Sequence, residues 1–400
     1  MSDTKTLSTA FSLPVNFSVR EVRHDLVAPV SVTPAPLGPL AAFAGNWIGS
    51  GFNTIFRPNS RKSPTGPFPV PPIGPEESVL ELNLTTESLS FAPSLGNITN
   101  RGVDDQEDIV LNGVPYLQFI NDVTTLPTRG IHFEPGIWLS VPATTTPKAG
   151  VTVARMASIP HGTTVSAQGT FVNKAGKPLI APVDITPFDP CTGERAPPFA
   201  FPSLVAANNN TFRLPQDLTP FIAAGTITQA MLTDPNTMLR DQIANQNIRE
   251  TICINVSTAP TAPLFGGGLA DIAFLLGVNP PPADALGPNA QTVLMRATYW
   301  TETVVYQIEV PPISAGDPPL VLDPVQPNPR IPLVPRFLVS IPYAEGQRFA
   351  GGTITMLTAQ IQYSQEVILN FSGKSWPHVS VASLVPADPI AVPASLLPLT

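Results

Sequence analysis

The sequence predicts a mainly β protein: antiparallel strands meandering into a sandwich or barrel, with a helical insertion and long proline-rich loops. Three observations carry this. Proline supplies 50 of the 400 residues and charged residues only 12%, about half of the usual ~25% charged share, so long exposed helices are disfavoured. Hydrophobic residues reach 43%, enough to bury a substantial core. Short segments of period-two alternation recur, each bounded by Gly, Pro or Asn, and such strands at near-regular spacing point to a meander that closes on itself.

Residues 1–35 read as an extended arm ending in "VTPAPLGP", and 36–400 as a single domain. "LAAFAGNWIGSGFNTIF" opens the domain as a first strand. In it Trp47, Ile48, Phe52, Ile55 and Phe56 alternate loosely with small and polar residues, and glycines allow kinks. A proline loop, "RPNSRKSPTGPFPVPPIGPEES", separates it from "VLELNLTTESLSF", whose clean alternation makes it a hairpin partner. Strand signals continue through "VPYLQFINDVT", "GIHFEPGIWLSVPA", "GVTVARMASI" and "GTTVSAQGTFV". From about 172 to 250 the pattern breaks. There "DPNTMLRDQI" has an Asp before Pro at a helix start and apolar residues spaced for one face. This predicts an insertion, mostly helical over 216–246, that lies across one end of the β-structure and covers its mouth with Phe221, Ile222, Ile227, Met231 and Leu232.

Strands resume with "ETICINVST", "DIAFLLG" and "AQTVLMRATYWTETVVYQIEV" and, after a proline loop at 311–345, with "GTITMLTAQIQYSQEVILNF". Trp300, Val304, Tyr306, Ile308 and Val310 share one face, opposite Thr301, Thr303, Gln307 and Glu309. The segments 45–56, 131–143, 151–170, 291–310 and 354–385 are therefore expected in one continuous antiparallel sheet.

Charge and motifs exclude several functions. The net charge is −8 and no Lys/Arg cluster exceeds "RPNSRK" at 57–62, which argues against a nucleic-acid partner. No apolar run approaches the roughly 18 to 20 residues of a membrane helix, and the first residues lack a basic start followed by an apolar stretch. A soluble, cytoplasmic protein is the expectation. Cys191 and Cys253 stand too far apart in sequence to make a zinc site by themselves. There is no Gly-x-Ser-x-Gly elbow. "FGGGLAD" at 265–271 lacks the Gly-Lys-Ser/Thr of a phosphate loop and reads as a glycine turn. The acidic "DDQEDI" at 104–109 reads as a solvated loop.

Two places remain where chemistry is plausible. In "IHFEPGIW", His132 and Glu134 share a strand face just before Pro135 and Gly136. They form half of a zinc-deaminase signature without its Pro-Cys-x-x-Cys, and by themselves they are a ligand site, a corner of the chain or neither. In "SGKSWPHVSVASLVP", His378 starts a last strand whose Val379, Val381 and Leu384 suggest a buried edge. Pro377 fixes the approach and Trp376 offers an aromatic wall. By itself such a histidine is either a hydrogen-bonded core residue or a ligand.

"FAGNWIGSGF" resembles the Gly-x-Trp-x-Gly-x-Gly opening of the nitrobindin-like haem-binding barrels, relatives in shape of fatty-acid-binding proteins and lipocalins. "GIHFEPGIW" resembles that family's His-x-Glu-x-Gly-aromatic strand, "ARMASIPHGTTVSAQGT" its Ala-His-Pro-Gly hairpin, and "HVSVASLVP" its closing His-led strand. The resemblance covers about a third of the chain. It implies an up-and-down, calycin-like β-barrel binding haem b, with His378 as proximal iron ligand beside Trp376, and peroxynitrite isomerase-like or peroxidase-like reactions with nitric oxide, peroxynitrite or peroxide. Trp47 would plug the barrel end, Gly45, Gly49 and Gly51 would let the first strand bend, and His132, Glu134 and His161 would form a polar site, with His132 and Glu134 at a barrel corner where the chain turns and not at a metal. The alternatives are a haem-free carrier of a small hydrophobic molecule, or a barrel-cavity isomerase or cyclase with His132, Glu134 or His161 as acid–base groups. Three departures stand out: "GIWLS" has Leu139 and Ser140 where the family has an arginine, His161 follows its proline instead of preceding it, and the insertion, the proline loops and the arm have no counterpart.

Overall fold

The computed structural model describes residues 35–58, 78–102, 104–146, 148–197, 200–259, 274–276, 290–325, 333–341 and 346–398. The N-terminal arm and the glycine run at 265–271 lie outside the described residues. Strands make up 54% and helices 10%, and the architecture is a closed ten-stranded antiparallel β-barrel.

The barrel strands, in chain order, are β1 (Gly45–Pro58), β2 (Ser78–Phe91), β3 (Ile109–Asp122), β4 (Arg129–Val141), β5 (Thr152–Ser158), β6 (Thr164–Ala175), β7 (Asn247–Ser257), β8 (Gln291–Val310), β9 (Gly352–Phe371) and β10 (Lys374–Pro386). Each pairs antiparallel with the next, and β10 returns to β1 with Trp47 opposite Pro386 and Thr54 opposite Val379. The five segments expected in one sheet are all in it. His378 therefore does not sit on an edge: β10 lies between β1 and β9, because closure leaves none of these ten strands unpaired on either side.

Alternation sets the interior. Trp47, Leu89, Tyr116, Trp138, Val153, Ala167, Ile254, Tyr299, Ile361 and Leu384 form one buried cluster, the barrel's inner core. A 3-10 helix, Gly38–Phe43, plugs one end: Phe43 stacks on Phe91 at 4.9 Å, and the Trp47 indole N–H donates to the Phe43 carbonyl at 2.8 Å. Gly49 and Gly51 serve close packing more than bending. A Cβ on Gly49 would stand 2.5 Å from the Ser383 carbonyl, and one on Gly51 2.4 Å from that of Val381. Gly45, at φ +111°, does need glycine's freedom.

A second core lies outside the barrel wall. Phe52 and Phe56 on β1, Leu80 and Leu82 on β2, Trp300 and Val304 on β8, and Val379 and Val381 on β10 pack against Leu218, Ile227, Met231, Leu232, Leu239 and Ile243 of the insertion. These strands carry apolar residues on both faces and require cover on both sides. The insertion thus lies along the outer wall and not across the mouth. Helix predominates over 216–246, as expected, in three short elements: α1 (Thr219–Ala224), α2 (Gln229–Thr233) and α3 (Thr237–Ile243). The rest is loop held from within, chiefly by fully buried Arg213, whose guanidinium donates to the carbonyls of Ser203, Val205, Ala206, Asn208 and Gln216. Because β6 ends at Ala175 and β7 begins at Asn247, the insertion proper spans 176–246.

Among the described residues no helix is long and apolar enough to cross a membrane. Cys191 is exposed, Cys253 is half-buried, and both are free thiols.

Candidate binding cavity

The end of the barrel opposite the plug is polar inside. Three of the four histidines meet there from different parts of the chain: His132 on β4, His378 on β10 and His161 in the β5–β6 turn. They stand between two adjoining lobes, both lined by Ile55, His132, His161, Gln365 and His378. One lobe, of about 270 Å³, is completed by polar groups including Asn53, Asn83, Glu87, Gln118 and Ser380. The other, of about 330 Å³, is completed largely by Ile159, Val165, Met295, Val367 and Leu369. Both are near the lower end of the size range of small-molecule sites.

Below the histidines, fully buried Arg155 on β5 meets fully buried Glu134 on β4, its Nη2 donating to Oε1 at 2.5 Å. Arg155 also donates from Nε to the Tyr116 hydroxyl at 2.9 Å and from Nη1 to Gln365 at 2.6 Å, while Tyr116 donates to Glu134. Three aromatic rings, Tyr116, Trp138 and Tyr299, stand 5.5–5.8 Å from the guanidinium. Burial pushes the Glu134 carboxyl up, but the Arg155 charge and the His132 hydrogen bond at 3.0 Å outweigh it and hold the group at about 2. Glu134 is therefore an ionised, fully partnered carboxylate, and His132 is the group that links it to the cavity.

This corrects the reading of "IHFEPGIW" as a barrel corner. β4 runs through Pro135 and Gly136 without turning, and the irregularity is a bulge at Ile131, since Ile120 pairs with His132 but Asn121 with Gly130. Gly136 has a different task. It faces Tyr116 across the ladder, and a Cβ there would stand 2.6 Å from the tyrosine ring. The missing side chain makes the room that lets Tyr116 reach Glu134. Gly136→Val is expected to destabilise the barrel by about 1–3 kcal/mol through overpacking, read by urea denaturation; an unchanged midpoint would refute this account of Gly136.

Glu87 on β2 is a second buried carboxyl, and among the described residues no Lys or Arg forms an ion pair with it. Tyr363 donates to it at 2.8 Å, and Gln118 and Thr85 each at 3.2 Å. Burial outweighs these donors and raises it to about 7.

His378 is tied to a polar chain. Arg57 pairs with Glu81 at 2.7 Å, Asn83 donates to Glu81 at 3.2 Å, and Asn53 Nδ2 donates to Asn83 Oδ1 at 2.8 Å. The Asn53 Oδ1 is thereby the acceptor for Ser380 and for His378 Nε2, each at 2.8 Å. His378 thus carries its proton on Nε2, and Nδ1 keeps a lone pair with no protein partner among the described residues. Burial lowers its pKa to about 4, with the nearby His132 and His161 adding to the shift. His161, edge-on to the His132 ring at 5.0 Å, is lowered by burial and by His132.

Trp376 does not line either lobe. It is fully buried in the outer core, stacked on Phe371 at 4.7 Å and edge-on to Phe201 at 5.7 Å. Its place as an aromatic wall of the cavity is overturned, because the 176–246 layer extends over this end of β10, where Phe188 pairs with Ser375. Among the described residues no group of three or more His, Cys, Asp or Glu side chains is placed to hold a metal ion.

Comparison with protein-family models, with curated proteins and with solved structures finds no match to this chain. The likeness to nitrobindin-like barrels rests on the four sequence segments alone.

Proposed function

We propose that the protein is a carrier or receptor for a small hydrophobic molecule, taken up in the two-lobed cavity between His132, His161 and His378. The observation that carries this reading is the cavity itself: a closed barrel plugged at one end, with an apolar lobe and a polar lobe meeting at a waist of three histidines. The test is saturable binding of an uncharged hydrophobic fluorophore, Nile red. Val367→Trp, which fills the apolar lobe, is expected to weaken binding at least about tenfold while the protein stays folded by circular dichroism; tenfold corresponds to about 1.4 kcal/mol. Equal binding by the variant would place the probe elsewhere and remove the reading.

Haem is the second reading, favoured by one observation. His378 is a neutral imidazole whose Nε2–H is held by Asn53, leaving a lone pair on the other nitrogen, and iron ligation requires a free lone pair with the other nitrogen anchored in this way. Two observations oppose it: Glu81 and Glu87 stand in the polar lobe, where they would meet the carboxylates of a haem with like charge, and Trp376 is outside the cavity. Bound haem would supply an iron with a coordination position open to nitric oxide, peroxynitrite or peroxide. Hemin titration decides between the readings. A saturable Soret band that His378→Ala abolishes and added imidazole restores would establish haem; absence of a band at stoichiometric hemin would exclude it.

A further inference from the structure

The two lobes differ in what they offer a ligand. In the polar lobe several acceptors around Glu87 are left without a donor among the described residues. Asn53 donates one amide N–H to Asn83, and Asn83 donates one to Glu81. Gln118 spends its Nε2 on Glu87 and Tyr363, and its Oε1 makes no hydrogen bond among the described residues. His378 adds the Nδ1 lone pair and Glu87 a carboxyl. The cations are already matched: Arg57 stands 2.7 Å from Glu81, and Arg155 is bound to Glu134, Tyr116 and Gln365.

We infer that the ligand is an amphipathic amine, its apolar body in the lobe of Ile159, Met295 and Val367 and its ammonium head in the polar lobe at Glu87 and Gln118. This rests on the small-molecule reading above. An ammonium brings three donors and no acceptor, the complement of a wall with spare acceptors. A carboxylate brings only acceptors and a like charge, so the wall's lone pairs would be left buried and unmet. The groups facing Glu87 are Tyr363 on β9, Tyr299 on β8 and His132 on β4. Glu81, Arg57, His161 and His378 line the same lobe. Because burial holds Glu87 near half-protonation at neutral pH, an arriving ammonium draws it into the ionised form and a proton is released to solvent.

The test is isothermal titration of the full-length protein with octylamine, octanol and octanoate at pH 7, in two buffers of different ionisation enthalpy. Octylamine is expected to bind about tenfold or more tightly than octanol, the factor for a hydrogen bond to a charged group, and octanoate most weakly. Amine binding should release protons. Glu87→Gln should remove both the amine-over-octanol preference and the proton release. Octanoate binding as tightly as octylamine, or an amine preference that survives Glu87→Gln, overturns the inference while leaving the carrier reading intact. Failure of all three probes to bind overturns the carrier reading itself.

Discussion

Arg155→Met is expected to lower the stability of the fold by about 3–5 kcal/mol, the loss typical of breaking a buried ion pair from one side. The substitution removes the charge that offsets the burial of Glu134 and leaves Tyr116 and Gln365 without their guanidinium partner. Burial is the largest influence on Glu134, and Arg155 the main one opposing it. In the variant the carboxyl should therefore titrate above its ordinary 4.5 instead of near 2. The sign follows directly. In the wild type the depressed pKa contributes stability that is complete above 4.5 and is lost as pH falls from there toward 2. In Arg155→Met the neutral acid is favoured, so the deficit should be larger at pH 7 than at pH 4. Arg155→Met combined with Glu134→Leu should recover much of the loss, since replacing a whole buried pair by apolar groups is often near neutral. Urea denaturation of the wild type and the two variants at both pH values checks this. A loss under about 1 kcal/mol for Arg155→Met, the size typical of exposed pairs, would mean that the pair is open to water.

Glu302→Gln should flatten the fall in stability at alkaline pH. Glu302 faces outward on β8, under the insertion. Gln360 donates to its Oε2 at 2.7 Å and is itself paired with Gln246, while Oε1 is buried without a partner among the described residues. Burial raises it from 4.5 to about 8. Between those values the folded protein keeps a proton that the unfolded chain has released, so stability declines as pH rises through this window. Glu87, raised to about 7, acts in the same direction. His378, lowered from 6.5 to about 4, opposes both between those two values, because there the unfolded chain binds the extra proton. Above 6.5 the opposition ends. From there the wild type should lose up to about 1.4 kcal/mol per pH unit for each such acid, until about 7 for Glu87 and about 8 for Glu302, and Glu302→Gln should remove its share. Urea midpoints measured across this range read the slope, and identical slopes for variant and wild type would show that Glu302 titrates normally.

Most of the barrel was legible because strand alternation is local. The pattern of "TYWTETVVYQIEV", the turns between segments and the order of motifs were enough to place the five expected segments in one sheet. His132, His161 and His378 were singled out as rare residue types, and the structure brings all three to one cavity. Glu87, Gln118, Arg155 and Tyr116 were missed, although each left a trace. Arg155 stands between Val153 and Ala157 on one strand face, and Glu87 precedes Leu89 and Phe91 on another; a charge on an otherwise apolar face is the signal that was available. The lid expectation failed for a related reason. Phe52, Phe56, Val379 and Val381 are the outward residues of strands apolar on both faces, and they hold the insertion against the wall.

By itself the sequence determined which segments are strands, that they form one antiparallel meander, and that the chain lacks the motifs of nucleotide and serine-hydrolase sites. These follow from spacing within a few residues, where pleat and turn geometry act. Only the tertiary structure decided which face of each strand points inward, what covers the outer face, and that Asn53, Glu87, Glu134, Arg155 and His378 share one interior. Alternation leaves the two faces equivalent until the sheet closes, and closure joins β10 to β1 across more than three hundred residues of chain, such as the 325 between Asn53 and His378. It is that closure that converts scattered polar residues into neighbours, sets the protonation states of Glu87 and His378 through burial, and holds Glu134 ionised through Arg155 and His132.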